Sequence, residues 1–256
     1  MSLTHLSLFS GIGGLDLAAE MAGFVTVGQC EWAEYPTKVL EKHWPDVARW
    51  KDVRDVTVEA LRARGIGKIT VLSGGFPCQP HSLIGKRMAS GDERDLWEEL
   101  ARVIREVKPK WFVGENVRGL LSSESGRFFG RILHDLAAMG YSTGWCCYGA
   151  NRVGAIHQRE RVFIISHADG KRRNCMAEKR KAGCAEFDLS HSEAWRNDAI
   201  NLLPDLDGFF ADPISGIQRN DNGIPEGLDR LKCLGNAVVP QQAYPIFVAI
   251  RELEGI

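Results

Sequence analysis

Short extended runs alternate with amphipathic stretches along the first two-thirds of the chain, and each run halts on glycine or a carboxylate. Leu6–Phe9, Val25–Cys30, Arg49–Lys51, Ile69–Leu72 and Trp111–Val113 read as strands, with helices over Leu15–Met21, Ala33–His43 and Asp92–Val107 between them. Parallel strands need a long crossover connection, normally a helix, so the alternation predicts an α/β fold with a mostly parallel sheet. The strand ends then matter most, because ligands bind beyond the carboxyl ends of such strands. Here those ends carry Gly11–Gly14, Glu31, Asp52, Gly74–Cys78 and Glu115. Further on, Phe128–Met139 reads as a helix, Tyr141–Tyr148 and Arg161–Ser166 as two more strands, and Gln241–Leu253 as a closing helix.

Between the last strand and the closing helix the texture changes. Residues 167–227 have little periodicity and many Gly, Asp and Asn, which reads as a small loop-rich insertion into a main domain of 1–166 plus 228–256. A chain of 256 residues suits one domain with such an appendage. Hydrophobic residues at 44% exclude wholesale disorder. There is no run of 18 apolar residues, so no membrane span is expected. The start lacks a basic segment before an apolar one, so no secretory signal is expected. Seven cysteines, an odd number, fit reduced cytoplasmic thiols. A net charge of -1 excludes nucleic-acid binding by bulk charge alone, but the charge is uneven: residues 151–181 carry +6 and residues 182–229 carry -8.

Five constellations carry chemistry. In Phe9-Ser10-Gly11-Ile12-Gly13-Gly14, glycines between a strand and a helix let backbone approach a ligand at the helix N-terminus. Glu31 stands where a carboxylate can take both ribose hydroxyls, and Asp52 where one can meet an adenine amino group; together they fit an adenosine-containing cofactor. In Gly75-Phe76-Pro77-Cys78-Gln79-Pro80, the cysteine is held between prolines just past a strand. That placement suits a thiolate nucleophile better than the buried small hydrophobe a free cysteine usually is. Glu115 beside it can hold a proton for a ring nitrogen; the alternative is a helix N-cap at Asn116. Alternation places Arg159 and Arg161 on one face of an extended chain, where they grip a base edge or phosphate, or an edge salt-bridge network. Leu234-Gly235-Asn236-Ala237-Val238-Val239-Pro240 is by itself only a loop-to-helix junction.

Taken in order, FSGIGG, Glu31-Trp32, Asp52-Val53, GGFPCQPHS, Asp95-Leu96-Trp97, Glu115-Asn116-Val117, QRERVF and LGNAVVP resemble the cytosine-5 DNA methyltransferase family over residues 5–166 and 228–253. The run from Asn222 to Gln241 is most similar to compact phage and prophage members. The resemblance implies a Rossmann-like methyltransferase fold and a role for each position. Phe9, Gly11, Gly13, Gly14, Glu31, Trp32, Asp52, Val53, Pro77, Leu96 and Asn236 would line an S-adenosylmethionine pocket. Cys78 would be the nucleophile that adds to a flipped-out cytosine, Glu115 would bind the base, and Arg161 and Arg159 would support it. Ser82, Lys86 and Arg87 match the family's mobile DNA loop. Lys171, Arg172 and Arg173 read as a DNA-backbone contact or a solvated loop. The expected partner is double-stranded DNA, with the chain acting as a cytoplasmic monomer; a restriction endonuclease partner is allowed and not required.

Three features depart from the family's pattern. Ser7 stands where the family usually shows an acid, the arginine motif that follows the recognition region has only Asp229-Arg230-Leu231 as its nearest match, and 167–227 is short for a target-recognition region. His167, Cys175, Cys184 and His191 have irregular gaps and no Cys-x-x-Cys, so no metal is expected. The rival readings are a transfer-RNA cytosine-5 methyltransferase, a non-catalytic S-adenosylmethionine- or DNA-binding relative, and a nicotinamide oxidoreductase. The last leaves Cys78 and the two arginines unexplained.

Overall fold

The computed structural model describes residues 2–77, 94–168 and 236–255, and only the backbone at 94 and 95. Its strands are β1 (Thr4–Leu8), β2 (Val25–Cys30), β3 (Ala48–Trp50), β4 (Val71–Gly74), β5 (Trp111–Val117), β6 (Ser142–Tyr148) and β7 (Arg161–His167). They form one sheet in the order β3-β2-β1-β4-β5-β7-β6. β1 to β5 are mutually parallel, and β7 runs antiparallel between β5 and β6. This is the doubly wound order with one antiparallel strand inserted before the edge. The helices are α1 (Gly14–Met21), α2 (Glu34–His43), α3 (Val58–Ala63), α4 (Arg94–Val107), α5 (Arg127–Ala138) and α6 (Pro240–Leu253). All of them lie in the compact unit Met1–Ala185 plus Ala237–Ile256; of the other unit, Glu186–Asn236, only Asn236 is described.

Neighbouring residues on the central strands enter two different cores, as both-face burial demands of parallel strands. Leu72 and Phe112 join a cluster with Trp97, Leu100 and Ile104 of α4 and Ile132 and Leu136 of α5. Val71, Trp111 and Val113 join the other, with Ala18 and Ala19 of α1 and Phe247 and Ile250 of α6.

Two elements differ from the sequence reading, and the first bears on the site. β5 runs on to Val117 and takes in Glu115 and Asn116, where the apolar run alone suggested a stop at Val113. β4 pairs with it only as far as Gly114, but β7 pairs with every residue from Trp111 to Val117. The antiparallel partner supplies the extra ladder bonds. The helix α3 is six residues long, too short to show a period, and is started by Thr57, whose Oγ1 accepts from the Ala60 amide at 3.1 Å.

His5 sits fully buried in the middle of β1. Its Nδ1 lies 3.1 Å from Thr26 Oγ1 on β2 and its Nε2 2.7 Å from Ser73 Oγ on β4, so one ring ties three strands. Burial holds its pKa down to about 3. An unfolded histidine protonates near pH 6.5, so acid draws the chain toward the unfolded state as pH falls below that value. With His5→Phe, the loss of stability between pH 6 and 4 should become shallower by about 1.4 kcal/mol per pH unit in urea titrations. An unchanged slope would mean that His5 takes a proton inside the sheet.

Candidate active site

Strand order reverses between β1 and β4, which opens a crevice beyond their carboxyl ends. The chain leaves β1 there through Phe9-Ser10-Gly11 and leaves β4 through Gly75-Phe76-Pro77. Phe9, Gly11 and Gly13 take left-handed φ values of 53°, 56° and 88°. The glycines serve different neighbours. A Cβ at Gly13 would lie 2.5 Å from the Trp44 ring, and one at Gly14 2.4 Å from the Val238 carbonyl oxygen, so the protein's own packing excludes side chains there. Beside Gly11 there is open space, and the bare backbone faces it.

Glu31, just past β2, accepts the Gly11 amide at Oε2 and the Ala33 amide at Oε1, both at 2.8 Å. Each carboxylate oxygen keeps a second lone pair for a ligand hydroxyl. Trp32 follows with its ring 58% exposed. Asp52, past β3, caps the next turn by accepting the Arg54 amide at 2.9 Å and forms an ion pair with the Arg54 guanidinium at 2.7 Å, which lowers its pKa. Leu96 is half-buried against the core and Pro77 is exposed. The side chain of Val53 is buried in the apolar core beside this turn. The open space at Gly11, the Glu31 carboxylate and the exposed Trp32 fit a nucleoside-bearing cofactor.

On the other side of the crevice, Glu115 is buried and its Oε1 lies 2.8 Å from Arg161 Nε across the β5–β7 pair. Burial raises the Glu115 pKa; the charges of Arg161 and Arg159 pull it back. A Cβ on Gly75 would lie 3.3 Å from Glu115 Oε2, which places the carboxylate directly beneath the segment that leads to residue 78. Arg159 corrects the alternation argument. It precedes β7 with φ 21°, not extended, yet its charge still reaches Glu115. Its Nη2 donates to the Ala237 carbonyl at 2.5 Å, and this tertiary contact, rather than strand register, sets its position.

Three positioning groups escaped the sequence reading. Asn116 is not a helix cap: inside β5, its Nδ2 donates to the Phe76 carbonyl at 2.8 Å and braces the segment before Cys78. Trp97 packs against Phe76, ring centroids 5.4 Å apart, and donates to Asp135 at 2.8 Å. Gln242 is fully buried; its Nε2 donates to the carbonyls of Tyr148 at 3.0 Å and Arg159 at 3.2 Å. A polar residue on the apolar face of the closing helix was the available signal for it. Cys78, Ser82, Lys86, Arg87, Lys171, Arg172, Arg173, Cys175, Cys184 and His191 lie outside the described residues. Asn236 is described but belongs to the second unit.

Residues 3–209 match the C-5 cytosine-specific DNA methylase family. The chain belongs to that family. Among its relatives, the type II methyltransferase M.HgiCII of Herpetosiphon aurantiacus is 29% identical over 97% of this chain and 53% of its own length. M.BsuFI of Bacillus subtilis is 35% identical over 66% of this chain and 40% of its own. The chain thus spans about half or less of these relatives. A candidate DNA modification methyltransferase encoded within an E. coli prophage superposes with a TM-score of 0.57 at 26% identity, covering 65% of this chain and 47% of that one. The fold of Spodoptera frugiperda DNMT2 is also similar, at a TM-score of 0.55 and 18% identity over 67% of this chain and 51% of that one. The chain carries this family's Rossmann-like fold.

Removing Arg161 strands a buried carboxylate. Arg161→Met should cost about 3 kcal/mol at pH 7.5 in urea denaturation, and less at pH 5, where Glu115 can take a proton. An equal loss at both pH values would show that the Glu115–Arg161 charge pair is not what the substitution breaks.

Proposed function

We propose that the protein is a DNA (cytosine-5)-methyltransferase that works through a covalent bond between Cys78 and a cytosine flipped out of the duplex. The buried Glu115–Arg161 pair next to Gly75 carries this reading, because a proton-holding carboxyl group lies against the strand end from which the chain runs on to Cys78.

Carbon 5 of cytosine is a poor nucleophile while its ring is aromatic. The Cys78 thiol gives up its proton and adds to carbon 6, forming the carbon–sulfur bond and moving electron density to carbon 5. Glu115, its pKa raised by burial, shares a proton with ring nitrogen 3 and so stabilises the charge developing there. Arg161 and Arg159 hold that carboxyl in place. S-adenosylmethionine, when bound, supplies an electrophilic methyl group. Glu31, Trp32, Asp52 and the Gly11 backbone hold its nucleoside end on our reading, and Pro77 and Leu96 close the side toward the base. Release of Cys78 requires the carbon 5 proton to pass to solvent water, and the C–H electron pair then restores the 5,6 double bond and expels Cys78 as thiolate. A stacked base is out of reach of this site, so the cytosine must leave the duplex.

We assign 1–166 plus 228–256 to catalysis and 167–227 to target recognition. Ser82, Lys86, Arg87, Lys171, Arg172 and Arg173 meet the DNA, and a monomer working in the cytoplasm fits this assignment. No helix among the described residues is long and apolar enough to cross a membrane.

Bisulfite sequencing of plasmid DNA from a host expressing the chain should show protected cytosines in one sequence context. Purified protein should move labelled methyl groups to duplex DNA; transfer to tRNA and not to duplex DNA would overturn the substrate assigned here. Cys78→Ala should abolish transfer and leave S-adenosylhomocysteine binding nearly intact, and retained turnover would remove Cys78 from the mechanism. Glu115→Gln should slow single-turnover transfer by about a hundredfold; a near-normal rate would refute its proton role.

A further inference from the structure

Ser7 lies on β1, at the position where the resemblance read from the sequence implies an acid. Its Oγ is fully buried and donates to Asp16 Oδ2 at 2.9 Å. Asp16 lies in the first turn of α1 and is also fully buried. Its other oxygen, Oδ1, accepts from Gln29 Nε2 on β2 at 3.0 Å. Gln29 Oε1 in turn accepts from Arg49 Nε on β3 at 3.0 Å, and Arg49 Nη2 donates to the carbonyls of Leu40 and Trp44. Trp44 is the residue whose ring fills the space beside Gly13. One carboxylate therefore joins the strand before the glycine turn, the helix after it, and β2, whose end carries Glu31.

We infer that Asp16 supplies from α1 the carboxylate that is missing at position 7 of β1, and that it acts as the positioning residue that closes the base of the cofactor turn. The inference rests on the cofactor reading above. A turn with three left-handed residues is loose on its own, and a hydrogen bond across its base removes that freedom. A fully buried carboxylate is costly to keep. Burial pushes the Asp16 pKa up to about 6, against the hydrogen bonds from Gln29, Ser7 and its own backbone amide. Apolar packing would hold α1 on the sheet without that expense, so the charge and its fixed acceptor geometry need a reason, and the turn provides it. The distance is also right for an exchange. An aspartate is one bond longer than a serine, so trading the two side chains keeps the summed reach across the 2.9 Å contact.

The test is calorimetric binding of S-adenosylhomocysteine to the full chain, with thermal unfolding recorded alongside. Asp16→Ser should weaken binding about tenfold or more, since a charged hydrogen-bond acceptor is lost across the turn. The exchange Ser7→Asp with Asp16→Ser should bring binding back to within about threefold of wild type, because the carboxylate and the hydroxyl have traded places. Ser7→Asp alone should unfold at lower temperature, with two carboxylates forced together. Undiminished binding by Asp16→Ser, or an exchange variant that folds and stays weak, overturns the inference. Should Asp16→Ser fail to fold, the exchange variant decides: folding with restored binding supports the relocated acid, and failure to fold or bind sinks it. A wild-type chain that does not bind S-adenosylhomocysteine would overturn the cofactor reading itself, and this inference with it.

Discussion

The antiparallel pairing of β7 with β5 is the constraint on which the site depends. It lengthens β5 past the reach of β4, carries Glu115 and Asn116 into the sheet, and brings Arg161 to within 2.8 Å of the Glu115 carboxylate. A buried ion pair is a weak source of stability, because desolvation offsets most of its attraction. Here it instead maintains a carboxyl group in low-dielectric surroundings, with its pKa drawn up by burial and held back by two arginines. That balance is what proton sharing with a base requires.

The crevice has two halves, and residues 237–242 touch both. The Val238 carbonyl packs on Gly14 of the cofactor turn, while the Ala237 carbonyl accepts from Arg159 and the Gln242 amide holds the Arg159 backbone. A short segment from the far end of the chain thus links the Gly-rich turn to the arginine whose charge acts on Glu115. On the other flank Asn116 and Trp97 both bear on Phe76, two residues before the proposed nucleophile. The residues around the reacting groups are braced from the sheet rather than left to loop conformation, as precise positioning demands.

Much of this was legible in the residues alone. A glycine or carboxylate at the end of each apolar run announces a crevice at one edge of a parallel sheet, because strand direction and helix crossovers leave few other arrangements. Glu31, Trp32, Asp52, Glu115 and Arg161 all take up places that such an edge allows. Which of the neighbours Asp52 and Val53 turns inward is not written in the motif: packing buries Val53 in the apolar core. Arg159 was assigned by strand alternation, yet a carbonyl 78 residues away sets its place.

The sequence by itself determined the α/β class, the mostly parallel sheet and the chemical types gathered at the strand ends, since periodicity and local turn chemistry are written in neighbouring residues. Only the tertiary structure decided which groups meet. The Glu115–Arg161 pair, the Asn116 brace, the Gln242 clamp and the Asp16–Ser7 bond all join residues whose partners no local pattern names. Burial, which sets the pKa of Glu115, His5 and Asp16, arises from the packing of distant elements. Those properties belong to the assembled core, and no stretch of the chain carries them alone.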